Sequence, residues 1–164
     1  MVTFKGNSVR LAGKAVEVGN DAPKVELVAG DLSLKSVGGS SGKYQVINVV
    51  PSLDTGVCAT QTRKFNEKAS SLKNTEVFVV SLDLPFAQSR FCSTEGIDNV
   101  VVLSDFRGKD FGKSYGVLLD DSPLEGLLTR AVFVVDPQGS IVYKEIVSEI
   151  TNEPNYEAAL AVIK

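Results

Sequence analysis

Three runs of β-branched and apolar residues, YQVINVV (44–50), TEVFVVS (75–81) and NVVVLS (99–104), recur along the chain with helical patterns between them. Near-continuous apolar runs of this length are what strands covered on both faces require. After the first run, Cys58, Thr62, Phe65, Ala69 and Leu72 follow at steps of four, three, four and three, which is one face of a helix. Thr55 is placed to cap that helix, with Cys58 in its first turn. PFAQSRFCSTEG (85–96) predicts a second helix, entered through Pro85 and stopped by Gly96. KDFGKSYG (109–116) predicts a short third helix, weakened by Gly112. Strands alternating with helices ask for parallel pairing through right-handed crossovers, so the chain is confined to an α/β layered fold.

The two ends complete the plan. Val9 and Leu11, then Val16 and Val18, predict an N-terminal hairpin over residues 1–18 around AGK, with a further turn at Lys5-Gly6-Asn7. RAVFVVD and SIVYKEIV flank DPQG (136–139), where Pro at the second position and Gly at the fourth favour a type I turn and a β-hairpin. Near the C-terminus, Asn152 can cap a last helix, Pro154 fits its first turn, and Tyr156, Leu160 and Ile163 share a face. The expected architecture is a mixed central β-sheet with helices on both faces. That is a thioredoxin-like fold with an N-terminal β-hairpin extension. No repeat or long linker divides the 164 residues, so 1–164 reads as a single domain, long enough to bury its own core.

Charge and residue usage narrow the function. The net charge is −3 and the basic residues form no run, which argues against nucleic acid and against an anionic membrane surface as partners. No apolar stretch approaches the roughly 20 residues that span a bilayer. The N-terminus lacks a charged-then-apolar signal pattern, so the expected location is cytoplasmic, where thiols stay reduced. The chain has no histidine, which excludes a Ser-His-Asp triad and a Cys-His pair. Its two cysteines do not make a structural zinc site; a carboxylate metal site stays open on residue types, but no calcium-loop spacing is present and no metal is expected. SVGGSSGK (36–43) resembles a phosphate loop only superficially. Val37 stands where the first glycine is needed, Tyr44 follows Lys43, and a strand follows instead of a helix. It reads as a flexible surface turn.

Cys58 is the residue with the clearest chemical potential. The thiolate is the nucleophile, and an ordinary thiol, with a pKa of about 8.5, is only slightly ionised near neutrality. A helix N-terminus offers unpaired N–H groups and a dipole that favour an anion, and an arginine from elsewhere in the fold would add a fixed positive charge. Thr55, one turn earlier, can bring a hydroxyl near the sulfur, and Pro51 ends the preceding strand because it has no N–H to donate. The plain alternative is an inert buried thiol, as free cysteines commonly are. Asp54 and Asp83 read as solvated loop carboxylates, and Phe86 and Phe91 as packing residues of the second helix, one of which could instead line an apolar approach to the site.

The segment PSLDTGVCATQTRKFN (51–66) carries the spacing P-x-x-x-T-x-x-C, Pro51, Thr55 and Cys58. It resembles the peroxidatic site of the peroxiredoxins. LDLPFAQSRFCSTEG (82–96) resembles the resolving-cysteine segment of their thiol peroxidase subfamily, the atypical two-cysteine peroxiredoxins. The similarity continues through LLTRAVFVVD (127–136), EITNEPNYEAALAVIK (149–164) and the N-terminal hairpin, covering essentially the whole chain.

The resemblance implies a thioredoxin-dependent peroxidase acting on hydrogen peroxide and alkyl or lipid hydroperoxides in antioxidant defence. It implies Cys58 as the peroxidatic and Cys92 as the resolving cysteine, joined in an intramolecular Cys58–Cys92 disulfide during the cycle. Thr55 and Arg130 would hold the peroxide, and Pro51 would shape the pocket. Thioredoxin is the implied reductant, the implied assembly is a homodimer, and no cofactor is called for. The residues alone leave other readings open: Cys92 as an inert helix residue, Arg130 as a surface arginine, a stoichiometric redox sensor, or a binding domain with silent thiols. A C-x-x-C oxidoreductase is disfavoured because Thr55 stands where its first cysteine would be.

Overall fold

The computed structural model describes residues 1–164. Its strands are β1 (Val2–Phe4), β2 (Asn7–Val9), β3 (Leu11–Ala12), β4 (Val25–Ala29), β5 (Leu34–Val37), β6 (Tyr44–Val49), β7 (Thr75–Ser81), β8 (Val101–Ser104), β9 (Leu118–Leu119), β10 (Ala131–Val135) and β11 (Ile141–Ile146). Its helices are α1 (Gly56–Ala69), α2 (Pro85–Glu95), α3 (Asp110–Tyr115) and α4 (Tyr156–Ala161). No helix is long and apolar enough to cross a membrane.

The central sheet has seven strands in the order β11-β10-β6-β7-β8-β4-β5. β6, β7 and β8 are parallel, as the α1 and α2 crossovers require, whereas β10 runs antiparallel to β6. Side chains alternate across this sheet and divide the core in two. Ile47, Val49, Phe78, Val80, Ala131 and Phe133 face the α3 side. Val46, Val50, Val77, Val79, Val132 and Val134 face α1, α2 and α4. The central runs are apolar throughout because both faces are covered.

Three local expectations are corrected. The N-terminal hairpin exists but is confined to residues 2–9, turning at Lys5 (φ 50°) and Gly6 (φ 82°), both left-handed. There is no strand pair around AGK. Leu11–Ala12 instead pairs with Leu118–Leu119, and Val16 is buried in the core without being in a strand. The last helix is capped by Asn155, whose Oδ1 accepts from the Ala158 N–H at 3.0 Å, and not by Asn152. Of the loop at 36–43 only residues 40–43 are an exposed turn, and residues 36–39 are packed. Ser36 and Val37 belong to β5, and the buried Gln45 side chain binds the Gly38 N–H and the Gly38 and Gly39 carbonyls.

The β4–β5 hairpin is an addition that the sequence pattern did not disclose. β4 pairs antiparallel with β8 and extends the sheet beyond the parallel core. Its outer strand is short and partly exposed, so it lacks the continuous apolar run that marks β6 and β7. The DPQG turn is as expected, with Gly139 N–H bonded to the Asp136 carbonyl at 3.0 Å. Gly139 has φ 94°, and the ladder shifts register between Val134 and Val135, which is the bulge such a turn introduces.

Two contacts lead to predictions. At Gly38 (φ 77°) a Cβ would strike the Pro23 carbonyl and the Tyr115 hydroxyl, which are already hydrogen-bonded to each other at 2.7 Å. Gly38→Ala should cost about 2–3 kcal/mol, measured as a lower urea midpoint with an unchanged m-value. The Glu149 carboxylate accepts from the Thr151 N–H (2.9 Å), the Gly6 N–H (2.8 Å) and the hydroxyls of Thr151 (2.8 Å) and Thr3 (3.0 Å), joining the N-terminal hairpin to the end of the chain. These bonds, the one from the Thr151 amide foremost, lower its pKa to about 2. Because the folded value is depressed, the tie is present above the ordinary carboxylate range and is lost as pH falls through about 2. NMR titration of the Gly6 amide should show that low midpoint, and Glu149→Gln should abolish it.

Candidate active site

β6 ends at Val49, and Pro51 breaks the ladder and starts the loop that leads into α1. Thr55 is the N-cap in extended backbone (φ −103°, ψ 149°), and its Oγ1 accepts from the Cys58 N–H at 3.4 Å. Cys58 therefore sits in the first turn, at the positive end of the helix dipole. Its side chain is fully buried against Val50, Leu53 and Phe65.

Arg130 enters from the start of β10. Because β10 pairs with β6 in the register Ala131↔Val49, the residue before Ala131 lies beside the residues that lead into the Cys58 loop. The Arg130 Nη1 donates to Cys58 Sγ at 3.3 Å and to Gln61 Oε1 at 3.0 Å, and its Nε donates to the Ile150 carbonyl at 2.8 Å. Arg130 is only 2% exposed, and no carboxylate lies within 4.0 Å of it. The carboxylate whose charge it shifts is that of Glu153, so the side-chain groups the guanidinium touches directly are the Cys58 sulfur and the Gln61 amide oxygen.

Gln61 is the site residue that the sequence reading missed. It lies three residues after Cys58, hence on the same face of α1, and is fully buried while polar. A buried amide on an otherwise packed helical face was the available signal. Its Oε1 holds Arg130, while its Nε2 has no hydrogen-bond partner. Around Arg130, α1 and the C-terminal segment are joined by Lys64–Glu153 at 2.9 Å, and the Phe65 and Tyr156 rings meet at 5.1 Å. The Lys64 and Tyr156 hydrogen bonds lower the Glu153 pKa, and burial, followed by the Glu153 hydrogen bond, raises that of Tyr156.

The structure thus brings Thr55, Cys58 and Arg130 together, with Pro51 buried in the loop that leads to them. Cys92 lies apart on α2, half-buried, with its thiol pKa pushed up by burial; both cysteines are free. A cleft of about 550 Å³ runs between Leu53 and Asp54 on one side and Phe86, Arg90 and Phe91 of α2 on the other. Phe86 does not pack its helix: it is 68% exposed, while Phe91 lies partly against the core. Asp83 is not a solvated loop carboxylate either, since it accepts hydrogen bonds from Ser52, Leu53 and Ser81.

Known proteins resemble this chain over nearly its whole length. The Redoxin family profile matches residues 17–160. A thiol peroxidase of Campylobacter jejuni is 59% identical over 94% of this chain and 87% of its own length. One from Streptococcus pneumoniae is 50% identical over 100% of this chain and 99% of its own. A peroxiredoxin-like protein from Aquifex aeolicus, solved by crystallography, superposes with a TM-score of 0.96 at 49% identity, covering 99% of this chain and 94% of that one. The chain belongs to the Redoxin family of thioredoxin-like proteins and, within it, to the thiol peroxidases. It is accordingly an enzyme, a peroxidase of the peroxiredoxin type.

If Arg130 supplies the charge that peroxide attack needs, its loss should be severe. Arg130→Met should lower the rate of Cys58 oxidation by peroxide about 10²–10³-fold. Arg130→Lys should recover little, because a lysine ammonium lacks the planar fork that reaches Ile150, Gln61 and Cys58 together. Rapid-quench mass spectrometry of the reduced protein would measure both.

Proposed function

We propose that this peroxidase reduces hydrogen peroxide and alkyl or lipid hydroperoxides to water or alcohols, with Cys58 as the peroxidatic and Cys92 as the resolving cysteine. The observation that carries this reading is the Arg130 guanidinium 3.3 Å from the buried Cys58 sulfur at the N-terminus of α1. In the first step the Cys58 thiolate attacks the distal oxygen of ROOH. An S–O bond forms and the O–O bond breaks. The departing RO⁻ takes a proton to become ROH, and Cys58 is left as a sulfenic acid, oxidised by two electrons. Arg130 faces the negative charge that passes from sulfur to oxygen, and the Thr55 hydroxyl is available to accept from or donate to the peroxide. Fixed positive charge and oriented dipoles do the work for which other enzymes use an imidazole.

In the second step the Cys92 sulfur attacks the Cys58 sulfenic sulfur. An S–S bond forms, the S–O bond breaks, and hydroxide leaves as water with the Cys92 proton. Thioredoxin then returns both thiols by exchange and is itself oxidised to a disulfide. Cys58 and Cys92 lie on separate helices, so this step calls for local unwinding. The packing of α2 supports that: its buried residues, Pro85 and Gln88, lie in the N-terminal part. The C-terminal part carries Cys92 and is tied to α1 by the solvent-exposed pair Arg63–Glu95 at 3.4 Å.

The same reading makes residues 1–164 one domain, working as a homodimer in the cytoplasm and serving antioxidant defence. Peroxide consumption with thioredoxin and its reductase tests the cycle. Wild type should turn over many equivalents and Cys58→Ser none. Cys92→Ser should be oxidised once and then stall under thioredoxin. Undiminished turnover by Cys58→Ser would overturn the assignment, and a single oxidation of wild type without turnover would point to a sensor.

A further inference from the structure

Asp83 lies at the end of β7, just before α2, and does not touch the reacting sulfur. Its carboxylate nevertheless gathers three donors: the Ser52 hydroxyl on Oδ1 at 2.7 Å, and the Leu53 N–H at 2.8 Å and Ser81 hydroxyl at 2.7 Å on Oδ2. From Ser52 the hydrogen bonds continue toward the site. The Ser52 carbonyl accepts from the Thr55 hydroxyl at 3.2 Å and from the Thr55 N–H at 3.3 Å. The Thr55 oxygen in turn accepts from the Cys58 N–H at 3.4 Å. An unbroken chain therefore runs Asp83, Ser52, Thr55, Cys58.

The chemistry of this chain suits an aspartate side chain. Its convergent N–H and O–H donors are met by the two oxygens of one short side chain. Residues 51–55 form a loop, and a loop fixed only by its ends holds the first turn of the following helix loosely. Asp83 ties the middle of that loop to Ser81, a fully buried residue of a central strand. Ser81 also accepts from the buried Gln88 of α2 at 3.1 Å, which anchors the clamp on the second helix as well.

We infer that Asp83 is a positioning residue for the peroxidatic step: it holds the loop before Cys58 so that the Thr55 cap and the Cys58 sulfur keep their geometry relative to Arg130. This inference rests on the peroxidatic reading of Cys58. A reactive group displaced by about 1 Å can lose 10²-fold in rate, so a clamp one hydrogen-bond chain away is sufficient to matter. The clamp acts on attack by Cys58 and not on the later approach of Cys92, which needs freedom and not restraint.

The test separates those two steps. Reduced wild type, Asp83→Ala, Asp83→Asn and Ser52→Ala are mixed with hydrogen peroxide and quenched rapidly. Mass spectrometry then follows loss of the Cys58 thiol and, separately, appearance of the disulfide. Oxidation should be about 10- to 100-fold slower in Asp83→Ala, with Asp83→Asn between it and wild type because one acceptor oxygen remains. Ser52→Ala should slow the same step, whereas the first-order conversion of the Cys58 sulfenic acid to the disulfide, taken at peroxide high enough that oxidation is not limiting, should be no slower in any variant. Thermal unfolding establishes which variants fold; if Asp83→Ala does not, Asp83→Asn and Ser52→Ala decide the question. Oxidation within twofold of wild type in folded variants would overturn the inference while leaving the peroxidatic reading intact, as would parallel slowing of both steps. Wild-type Cys58 inert toward peroxide would overturn the reading and the inference together.

Discussion

The active-site half of this protein is organised around one buried guanidinium. Arg130 is out of water with no carboxylate in contact, and it donates hydrogen bonds to the Ile150 carbonyl, the Gln61 amide oxygen and the Cys58 sulfur, with the Glu153 carboxylate further off. The groups come from three parts of the chain: Arg130 from the start of β10, Cys58 and Gln61 from α1, and Ile150 from the approach to the last helix. A flexible or solvated cation would lose most of its interaction with the sulfur to water. Burial makes the contact strong and also makes it demanding, because the surrounding backbone has to hold still.

The sheet supplies that stillness. β6 and β10 are central, paired strands whose inward residues are fully buried on both faces. Their antiparallel register puts the end of one beside the start of the other, so Pro51 and Arg130 emerge at the same edge. A one-residue slip would exchange the faces of every side chain on β10, which the apolar packing forbids. The distance between Arg130 and Cys58 is in this sense a consequence of core packing. The loop between β6 and α1 cannot rely on the ladder, and there the Asp83 hydrogen bonds and the Thr55 cap take over.

Much of this was legible from local pattern. The continuous apolar runs became β6, β7 and β8, the four-three spacing became α1 with Thr55 as its cap, and Gly96 stops α2 in the left-handed conformation. These elements are read easily because their signals are strong within a few residues. The β4–β5 hairpin was not, since an exposed edge strand carries no sustained apolar period. AGK read as a hairpin turn because alternation looks alike whichever strand is the partner. Leu11–Ala12 found its partner over a hundred residues away.

The same division runs through the site. The residue types, the P-x-x-x-T-x-x-C spacing, the absence of histidine and the second cysteine segment are properties of the chain alone. They determined that any chemistry here would be thiol chemistry at a helix N-terminus, assisted by fixed charge instead of an imidazole. Only the tertiary structure decided that Arg130, named by the family resemblance, is buried within reach of Cys58, that Gln61 and the Ile150 carbonyl hold it, and that Asp83 is hydrogen-bonded and not a solvated carboxylate. The reason is physical: caps and helical faces follow from neighbours within about one turn. The burial of Arg130 and the meeting of donors and acceptors 20 to 72 residues apart exist only once the strands are in register.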